Sequence, residues 1–272
     1  NVVSGGGHTI SLGDYNEEWR AHRRLVHSAL QRCCQQSLHD VIEGQALHLR
    51  KVLMDYQGSA VDLSEDFTVA ASNVITTLAF GKESQDKKNE DAITGSLLQG
   101  LDKHHNTEHG VVQTKVYEEL CTVLEGRYPK YSDRHRLPVL CSLIHEVLRL
   151  RPVAPLAVPH RAIRDSSMFS IAGYFIPENT VIIPNLFGAH HDPAVWTDPY
   201  SFKPERFLPG GGGSTRALIP FGGGARLCLG ESVAKMELFL FTAYLLRDFQ
   251  FIPPESGASL PDLRGVASVV LK

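Results

Sequence analysis

Apolar residues recur at a spacing of three to four over most of the first eighty positions, which predicts three helices. Asn16 stands where the first helix begins, and its short polar side chain is suited to cap that helix. The second helix is predicted to begin near Ser37, with Asp40 three residues later forming a weak capping box. The third covers about 65–80, where small apolar residues predict burial, and Gly81 follows as its stop signal.

Polar residues dominate the next stretch, 82–108, which carries a charge run and one short apolar piece. We interpret most of it as a surface connection between two helical regions. Helical spacing resumes at 110–125 and again at 138–150. Pro138 suits a first helical turn, and Pro152 ends the second of these helices.

Beyond Pro152 the pattern changes to short runs of β-forming residues separated by glycine and proline turns. The predicted strands are 156–158, 168–171 and 180–183. Residues 185–226 are rich in proline, glycine and aromatic residues and predict an ordered loop, with 210–213 as a flexible tip. A last helix is predicted over about 229–247, so the predicted fold class is mainly α with a small β-sheet region.

The composition of the chain argues against several classes of protein. Its 272 residues are 43% apolar and carry a net charge of −3, which is ordinary for a globular protein and argues against nucleic acid as a partner. No long apolar run occurs, so a transmembrane span within these residues is not expected. The five cysteines are scattered, odd in number and outside any CxxC pattern, which argues against a disulfide framework and favours a reducing, cytosol-facing compartment. Because residue 1 is asparagine, we expect the chain to be a fragment.

The segment 221–230 indicates chemistry, because it places a cysteine in a glycine-rich loop directly before the last predicted helix. A thiolate is a strong, soft ligand for iron, and the thiol needs positive surroundings to lose its proton. The unpaired N–H groups at a helix N-terminus supply such surroundings for Cys228. Glycines let the backbone pass close to a flat ligand. The alternative is a glycine-rich turn that carries a buried free cysteine.

The order of residues in 221–230 resembles the haem-binding loop pattern FxxGxRxCxG of the cytochrome P450 family. Two further motifs support the resemblance: Glu146 and Arg149 match the family's ExxR motif on a helix, and Arg206 lies in a PERF motif nearer the cysteine. The resemblance implies the P450 fold and haem b, with Cys228 as the catalytic residue and axial ligand of the iron. It also implies that Glu146, Arg149 and Arg206 form a buried structural network.

The resemblance further implies a set of residues that bind the haem. These are Trp19, Arg23, His160, Phe221, Gly222 and Arg226. The forked donors of Arg226 are suited to an anionic propionate. Trp19 with basic Arg23 four residues later has the family's spacing, although an amphipathic helix with a core tryptophan gives the same pattern. His160 is the expected second propionate partner or, alternatively, an ordinary histidine of the core or surface.

Longer runs of the chain resemble the steroid 21-hydroxylase group of this family, with the steroid 17α-hydroxylase group as the alternative. These runs are 11–15, 19–30, 146–160, 180–190 and 225–230. They imply a monooxygenase that hydroxylates progesterone or 17α-hydroxyprogesterone. They also imply electrons from NADPH through NADPH–cytochrome P450 reductase, and a place at the cytosolic face of the endoplasmic reticulum membrane. Ala154 and Val158 are the expected substrate contacts, with Ser11 and Leu12 as weaker candidates.

Two departures from the family pattern affect the expected activity. We expect the N-terminal membrane anchor and first sheet region to be absent, and the central helix over the haem to be missing, since no AGxxT-like run occurs. The prediction is one partial P450 domain over 1–272, with N-terminal helices in 1–81 and a shortened connection in 82–108. The ExxR helix, the small β region and the haem-binding loop fall in 109–272. The alternative function is therefore a catalytically inactive, truncated P450 product.

Overall fold

The computed structural model of the chain describes residues 9–81, 108–166 and 172–252. Within these ranges it contains seven α-helices and one two-stranded sheet, so the predicted fold class is confirmed. The helices are α1 (Glu17–Gln36), α2 (Leu38–Asp55), α3 (Ser64–Phe80), α4 (Glu108–Leu124), α5 (Pro138–Leu150), α6 (Leu186–His190) and α7 (Glu231–Asp248). The strands are β1 (His160–Arg161) and β2 (Val181–Ile182), and 3₁₀ turns lie at Tyr131–Arg136, Pro204–Phe207 and Gly224–Arg226.

The ends of the first three helices follow from local sequence, with one exception. The side chain of Asn16 accepts a hydrogen bond from the backbone N–H of Trp19 at 2.8 Å, so the predicted cap of α1 is confirmed. Gly81 ends α3 in the left-handed conformation, with a φ of 69°. The capping box predicted at Ser37 is wrong, because the Ser37 side chain makes no capping hydrogen bond and the Asp40 side chain is 85% exposed. Water solvates this carboxylate in place of the helix backbone.

Helix α7 lies at the centre of the core and is buried on all sides over 238–246. Its sequence there is apolar all round, which is the pattern of a buried helix. Helices α2, α4 and α5 pack against it, and α3 packs on α2. The buried Tyr244 of α7 donates a hydrogen bond to Glu43 of α2 at 2.6 Å. Because α7 begins just after Cys228, this core holds the end of the candidate loop in place.

Helix α5 is capped by a side chain from another helix. Both carboxylate oxygens of Glu119 in α4 accept backbone N–H groups at the start of α5, from Val139 at 2.9 Å and from Leu140 at 3.0 Å. Burial raises the pKa of Glu119, and the two hydrogen bonds oppose that rise. The contact fixes α5, which carries Glu146 and Arg149, against α4.

The sheet is smaller than the sequence predicts. Strands β1 and β2 pair antiparallel with His160 opposite Ile182, which confirms the strand predicted over 180–183. The strand predicted over 156–158 is wrong: Ala157 has a φ of 51° in a turn between two prolines, which lack the N–H that a strand ladder needs. The predicted strand 168–171 lies outside the described residues.

The long loop of the sequence analysis contains helix α6 and two 3₁₀ turns. Residues 210–212 are exposed, as a tip would be, and Gly211 and Gly213 lie against the PERF turn. Gly213 donates its N–H to the carbonyl of Arg206 at 2.8 Å. A Cβ on Gly211 would lie 2.0 Å from the carbonyl oxygen of Glu205, so only glycine fits there. The segment rests on the PERF turn.

The prediction that the central helix is missing concerns 82–108, and 82–107 lie outside the described residues. It therefore stays a prediction. No helix in the described part of the chain is both long enough and apolar enough to span a bilayer.

Candidate functional site

The loop that precedes α7 is shaped by two glycines and a short bridge. Gly222 and Gly224 have φ values of 75° and 66°, which L-residues with side chains rarely adopt. The N–H of Cys228 donates to the carbonyl of Phe221 at 3.0 Å and closes the loop across its base. The N–H of Gly222 donates to the carbonyl of Ile219 at 3.0 Å. The loop is thus a constrained turn directly before a helix N-terminus.

The thiol of Cys228 is accessible at the end of this turn. Cys228 is a free, exposed cysteine, which contradicts the alternative of a buried cysteine in a structural turn. Cys141 in α5 gives the contrast within the same protein, because burial raises the pKa of its thiol to about 11. Among the cysteines whose side chains the structure describes, Cys228 is the exposed one beside the positive end of a helix, where a thiolate ligand is favoured.

Three side chains join the cysteine loop to α1 and to the loop before it. Arg23 of α1 donates a hydrogen bond to the carbonyl of Leu227, next to the cysteine. Arg226 donates to the carbonyl of Gly13 at 2.7 Å. Its guanidinium lies 4.0 Å from the ring centre of Trp19, over which Arg23 also lies at 5.4 Å. Two cations therefore flank one aromatic ring beside the loop that carries the thiol.

The electrostatics of this cation pair favour an anionic ligand. Burial lowers the pKa of Arg226, and the nearby positive charge of Arg23 lowers it further. Asp14 opposes that effect, but its carboxylate is already bound by Arg161 at 2.6 Å. An anion between the two guanidinium groups would relieve both the desolvation and the repulsion.

His160 lies at the start of β1, attached to the same N-terminal loop through its neighbour. Its ring Nδ1 is 2.7 Å from the carbonyl oxygen of Val158, which holds the imidazole against its own turn. Arg161 binds Asp14, while Arg226 binds the adjacent Gly13. Residues 13–14 therefore tie β1 and the cysteine loop together.

The predicted ExxR and PERF residues lie together in one buried ionic network. Arg149 binds Glu146 through two hydrogen bonds of 2.8 Å, and neither side chain is exposed to solvent. Arg206 approaches the same carboxylate at 3.1 Å. The backbone N–H of Lys203 supplies a further hydrogen bond to Glu146 at 2.9 Å. Glu146 is thus compensated by two cations and one amide, as a buried carboxylate requires.

The remaining donors of the two arginines bind backbone carbonyls of the long loop. Arg149 donates to His190 at 2.8 Å and to Pro199 at 2.7 Å. Arg206 donates to the carbonyl of Thr197 at 2.9 Å. The ring of Trp196 covers the Arg149 guanidinium at 5.4 Å. The network therefore organises the loop between α6 and the cysteine.

The candidate substrate residues lie on the surface of the described structure. Val158 is 44% exposed and Leu12 is 45% exposed, so neither lies in an enclosed cavity formed by the described residues. Ala154 is half-buried in the turn before β1, and Ser11 is exposed. The structure brings Trp19, Arg23 and Arg226 together at the cysteine loop, and links His160 to it through Arg161 and residues 13–14. It does not enclose the substrate candidates.

Several residues that shape the site were not singled out from the sequence. Asp14, Lys203 and His190 make contacts that connect distant segments, and their motifs gave them no assigned role. His190 closes the run 180–190 that carried part of the resemblance. Its burial beside Arg149 follows only from the fold.

Comparison with known proteins identifies the family. The model of the family "Cytochrome P450" matches residues 3–99 and 107–272. The chain belongs to the cytochrome P450 family. It is 32% identical to the steroid 21-hydroxylase of Sus scrofa over 361 residues, which cover 94% of this chain and 72% of that protein. It is 29% identical to the steroid 17-alpha-hydroxylase/17,20 lyase of Ictalurus punctatus over 388 residues, covering 100% and 74%.

One part of the P450 chain has a higher sequence identity to its relatives than the chain has over longer alignments. Over 160 residues, 57% of this chain and 31% of the relative, it is 51% identical to the steroid 21-hydroxylase of Bos taurus. Among solved structures, a zebra fish cytochrome P450 described with progesterone superposes with a TM-score of 0.84 at 28% identity, covering 100% of this chain and 84% of the other. The P450 fold and the steroid hydroxylase family are therefore established.

As a P450, the protein is a monooxygenase that uses haem b, with NADPH as the source of electrons through a reductase. The described residues fit this cofactor. Haem carries an iron that accepts a soft thiolate and two propionates that accept guanidinium donors. The site offers the exposed Cys228 beside two closely spaced cations, Arg23 and Arg226. The thiol suits the haem iron, and the two cations suit the haem propionates.

Proposed function

We propose that this P450 hydroxylates carbon 21 of progesterone or 17α-hydroxyprogesterone. The observation that supports this position is the 51% identity to the Bos taurus steroid 21-hydroxylase over 160 residues. Hydroxylation at carbon 17 is the alternative within the steroid hydroxylases, supported by the relative from Ictalurus punctatus. The choice between them lies in the substrate contacts.

Haem b supplies the oxidative chemistry when it is bound, which is activation of dioxygen and insertion of one oxygen atom into a C–H bond. Cys228 ligates the iron as a thiolate. The helix α7 N-terminus stabilises the negative charge on its Sγ atom, and Gly222 with Gly224 allows the loop to turn within a few residues. Phe221 supports the base of the loop by accepting the Cys228 N–H.

The propionates are held by the positive cluster. Arg226 and Arg23 would donate to them, and Trp19 packs against both guanidinium groups. His160 of β1 already donates its Nδ1–H to Val158, so it would give a propionate an Nε2–H donor as the imidazolium. Each arginine keeps spare N–H groups after its backbone contact, since a guanidinium carries five. Glu146, Arg149 and Arg206 support the loop without touching the cofactor.

The substrate, redox partner and membrane complete the proposal. Ala154 and Val158, with Ser11 and Leu12 in a lesser role, contact the steroid. The electron donor is NADPH–cytochrome P450 reductase. The protein acts at the cytosolic face of the endoplasmic reticulum membrane, and residues 1–272 form one partial P450 domain.

The experiment has a spectroscopic arm and a turnover arm. Haem-loaded protein is reduced, exposed to CO and compared with Cys228→Ser and with Cys121→Ser, whose exposed thiol lies on α4 away from the loop. We expect the red-shifted thiolate band in the wild type and in Cys121→Ser, and its loss in Cys228→Ser. Turnover of progesterone with reductase and NADPH, analysed by mass spectrometry, then separates 21-hydroxylation from 17α-hydroxylation.

A second candidate function is a P450 product that binds haem but does not turn over. The observation that favours it is that the match to the Sus scrofa relative extends over 361 positions, more than the 272 residues of this chain. The relative therefore carries residues within the matched span that this chain lacks. A thiolate CO band without any hydroxylated product supports this candidate, whereas clear hydroxylation by the chain as written excludes it.

A further inference from the structure

His190 is a fully buried histidine at the end of α6 that the roles above do not use. Its backbone carbonyl accepts the 2.8 Å hydrogen bond from Arg149, so its main chain belongs to the ionic network. Its side chain points to a different segment. The ring Nε2 lies 2.9 Å from the backbone N–H of Ile219, two residues before Phe221. One residue thus contacts both the network and the approach to the cysteine loop.

The contact with Ile219 determines the protonation state of the ring. A backbone N–H can only donate, so Nε2 of His190 must be the unprotonated acceptor and Nδ1 carries the proton. Burial lowers the pKa of His190 to about 4, and the charge of Arg149 acts in the same direction. The imidazole is therefore neutral near pH 7, with Nε2 free to accept this hydrogen bond.

A short series of hydrogen bonds then continues to the cysteine. The carbonyl of Ile219 accepts the N–H of Gly222 at 3.0 Å, and the carbonyl of Phe221 accepts the N–H of Cys228 at 3.0 Å. Arg149 on α5 is in this way connected to Cys228 through His190 and two consecutive turns of the loop. The first links use the Arg149 guanidinium and the His190 ring, and the last two are backbone hydrogen bonds.

We propose that His190 is a positioning residue. By accepting the Ile219 N–H at Nε2, it fixes the position of the Cys228 loop relative to helix α5. The inference rests on the proposed ligation of haem iron by Cys228. Without this acceptor, the Ile219 amide loses the partner that the structure gives it, and because Ile219 is 36% exposed, the segment shifts towards water. The cysteine loop then moves, and the Cys228 Sγ atom leaves the position from which it binds the iron.

The adjacent His191 provides a matched comparison. It is also buried, but its ring stacks on Phe187 at 4.0 Å and meets the tilted ring of Tyr200 at 5.0 Å. Its Nδ1 lies 2.9 Å from the carbonyl of Phe187 in its own helix. The His191 ring makes no hydrogen bond to the described residues 219–228, so a His191 variant tests whether general loosening of the packing is enough to change the loop.

The experiment compares two amide variants of the full haem-loaded chain. In His190→Gln the side-chain oxygen reaches the place of Nε2, whereas in His190→Asn it reaches only the place of Nδ1. His191→Asn is the control. Hydrogen exchange followed by mass spectrometry reports the Ile219 and Gly222 amides, and the CO difference spectrum reports the ratio of thiolate to unshifted band.

We expect His190→Asn to speed exchange at Ile219 at least tenfold and to lower the thiolate fraction at least twofold. His190→Gln and His191→Asn should stay within about threefold of the wild type in exchange and keep the thiolate band. Equal behaviour of His190→Gln and His190→Asn in either readout would overturn the proposal. A wild type without the thiolate band would refute the ligation by Cys228, while the exchange rates would still decide whether His190 holds Ile219.

Discussion

The guanidinium of Arg226 lies 4.0 Å from the ring centre of Trp19, so the residue two positions before the cysteine rests on the first helix of the fold. The indole Nε1–H donates in turn to the carbonyl of Ile10 at 2.8 Å. Trp19 is only 5% exposed. The two contacts join the N-terminal loop, α1 and the cysteine loop into one unit, although more than 200 residues separate Trp19 from Arg226 along the chain.

This relationship predicts a graded effect of changes at Trp19. Trp19→Phe keeps an aromatic face for Arg226 but leaves the Ile10 carbonyl without its donor, and we expect a loss of about 1–2 kcal/mol in the free energy of unfolding. Trp19→Leu also removes the cation–π contact and should cost at least about 1 kcal/mol more. Urea unfolding measures both. Equal stability of the two variants would show that the ring face does not hold Arg226.

Removal of Arg149 should be strongly destabilising. Arg149→Ala leaves the buried carboxylate of Glu146 with one cation, Arg206, and the Lys203 amide. It also strands the carbonyls of His190 and Pro199, for an expected cost of about 3–5 kcal/mol. Chemical unfolding measures the change, and recovery of soluble protein gives a second readout if the variant does not fold.

The control for the buried network is an arginine in an exposed pair. Arg161→Ala breaks the contact with Asp14, in which both side chains are about half exposed or more. We expect a loss of about 1 kcal/mol or less there, because water replaces the partner. A similar cost for Arg149→Ala and Arg161→Ala would contradict the assignment of the network as a buried structural centre.

His190 predicts a pH dependence of stability. Its pKa falls from 6.5 to about 4 on folding, so the folded protein binds fewer protons than the unfolded chain between these values. The contribution is complete above pH 6.5 and is lost as the pH falls towards 4, with a total of about 3 kcal/mol at about 1.4 kcal/mol per pH unit. Thermal unfolding at intervals between pH 7 and 4 measures it. His190→Gln should flatten the curve, whereas His27→Gln, on the exposed side of α1, should not.

Two glycines should respond to alanine in opposite directions. A Cβ on Gly211 would lie 2.0 Å from the carbonyl of Glu205, so Gly211→Ala forces a shift of the PERF turn and should cost at least about 1–3 kcal/mol. Gly44 lies within α2 with no atom within 4 Å of its Cβ position, so Gly44→Ala should stabilise the protein by about 0.5–1 kcal/mol. Differential scanning calorimetry compares them. A stabilising Gly211→Ala would mean that the segment 210–213 does not rest on Arg206.

The sequence predicted the parts of the structure whose causes are local. The cap at Asn16, the stop at Gly81 and the helix over 138–150 depend on side chains within a few residues of the helix ends, and the structure confirms them. The cysteine loop was also recognisable in one short segment, because a turn before a helix needs glycines at fixed positions. The strand over 156–158 failed since two prolines outweighed its apolar pattern.

The tertiary structure alone decided which distant groups meet. Helical spacing and sequence motifs predicted which elements carry Glu146, Arg149 and Arg206. The Lys203 amide and the backbone carbonyls that complete their hydrogen bonds come from a loop, whose path no hydrophobic periodicity predicts. The same holds for His190. Nothing in the sequence indicates that it is buried or that it contacts Arg149 and Ile219. The sequence by itself determined the helices and the cysteine loop, because those follow from neighbours along the chain. Only the packed fold determined the hydrogen bonds that lead from Arg149 to Cys228. Packing takes donors such as the Arg149 guanidinium out of water, and the acceptors that replace water lie far away in the sequence.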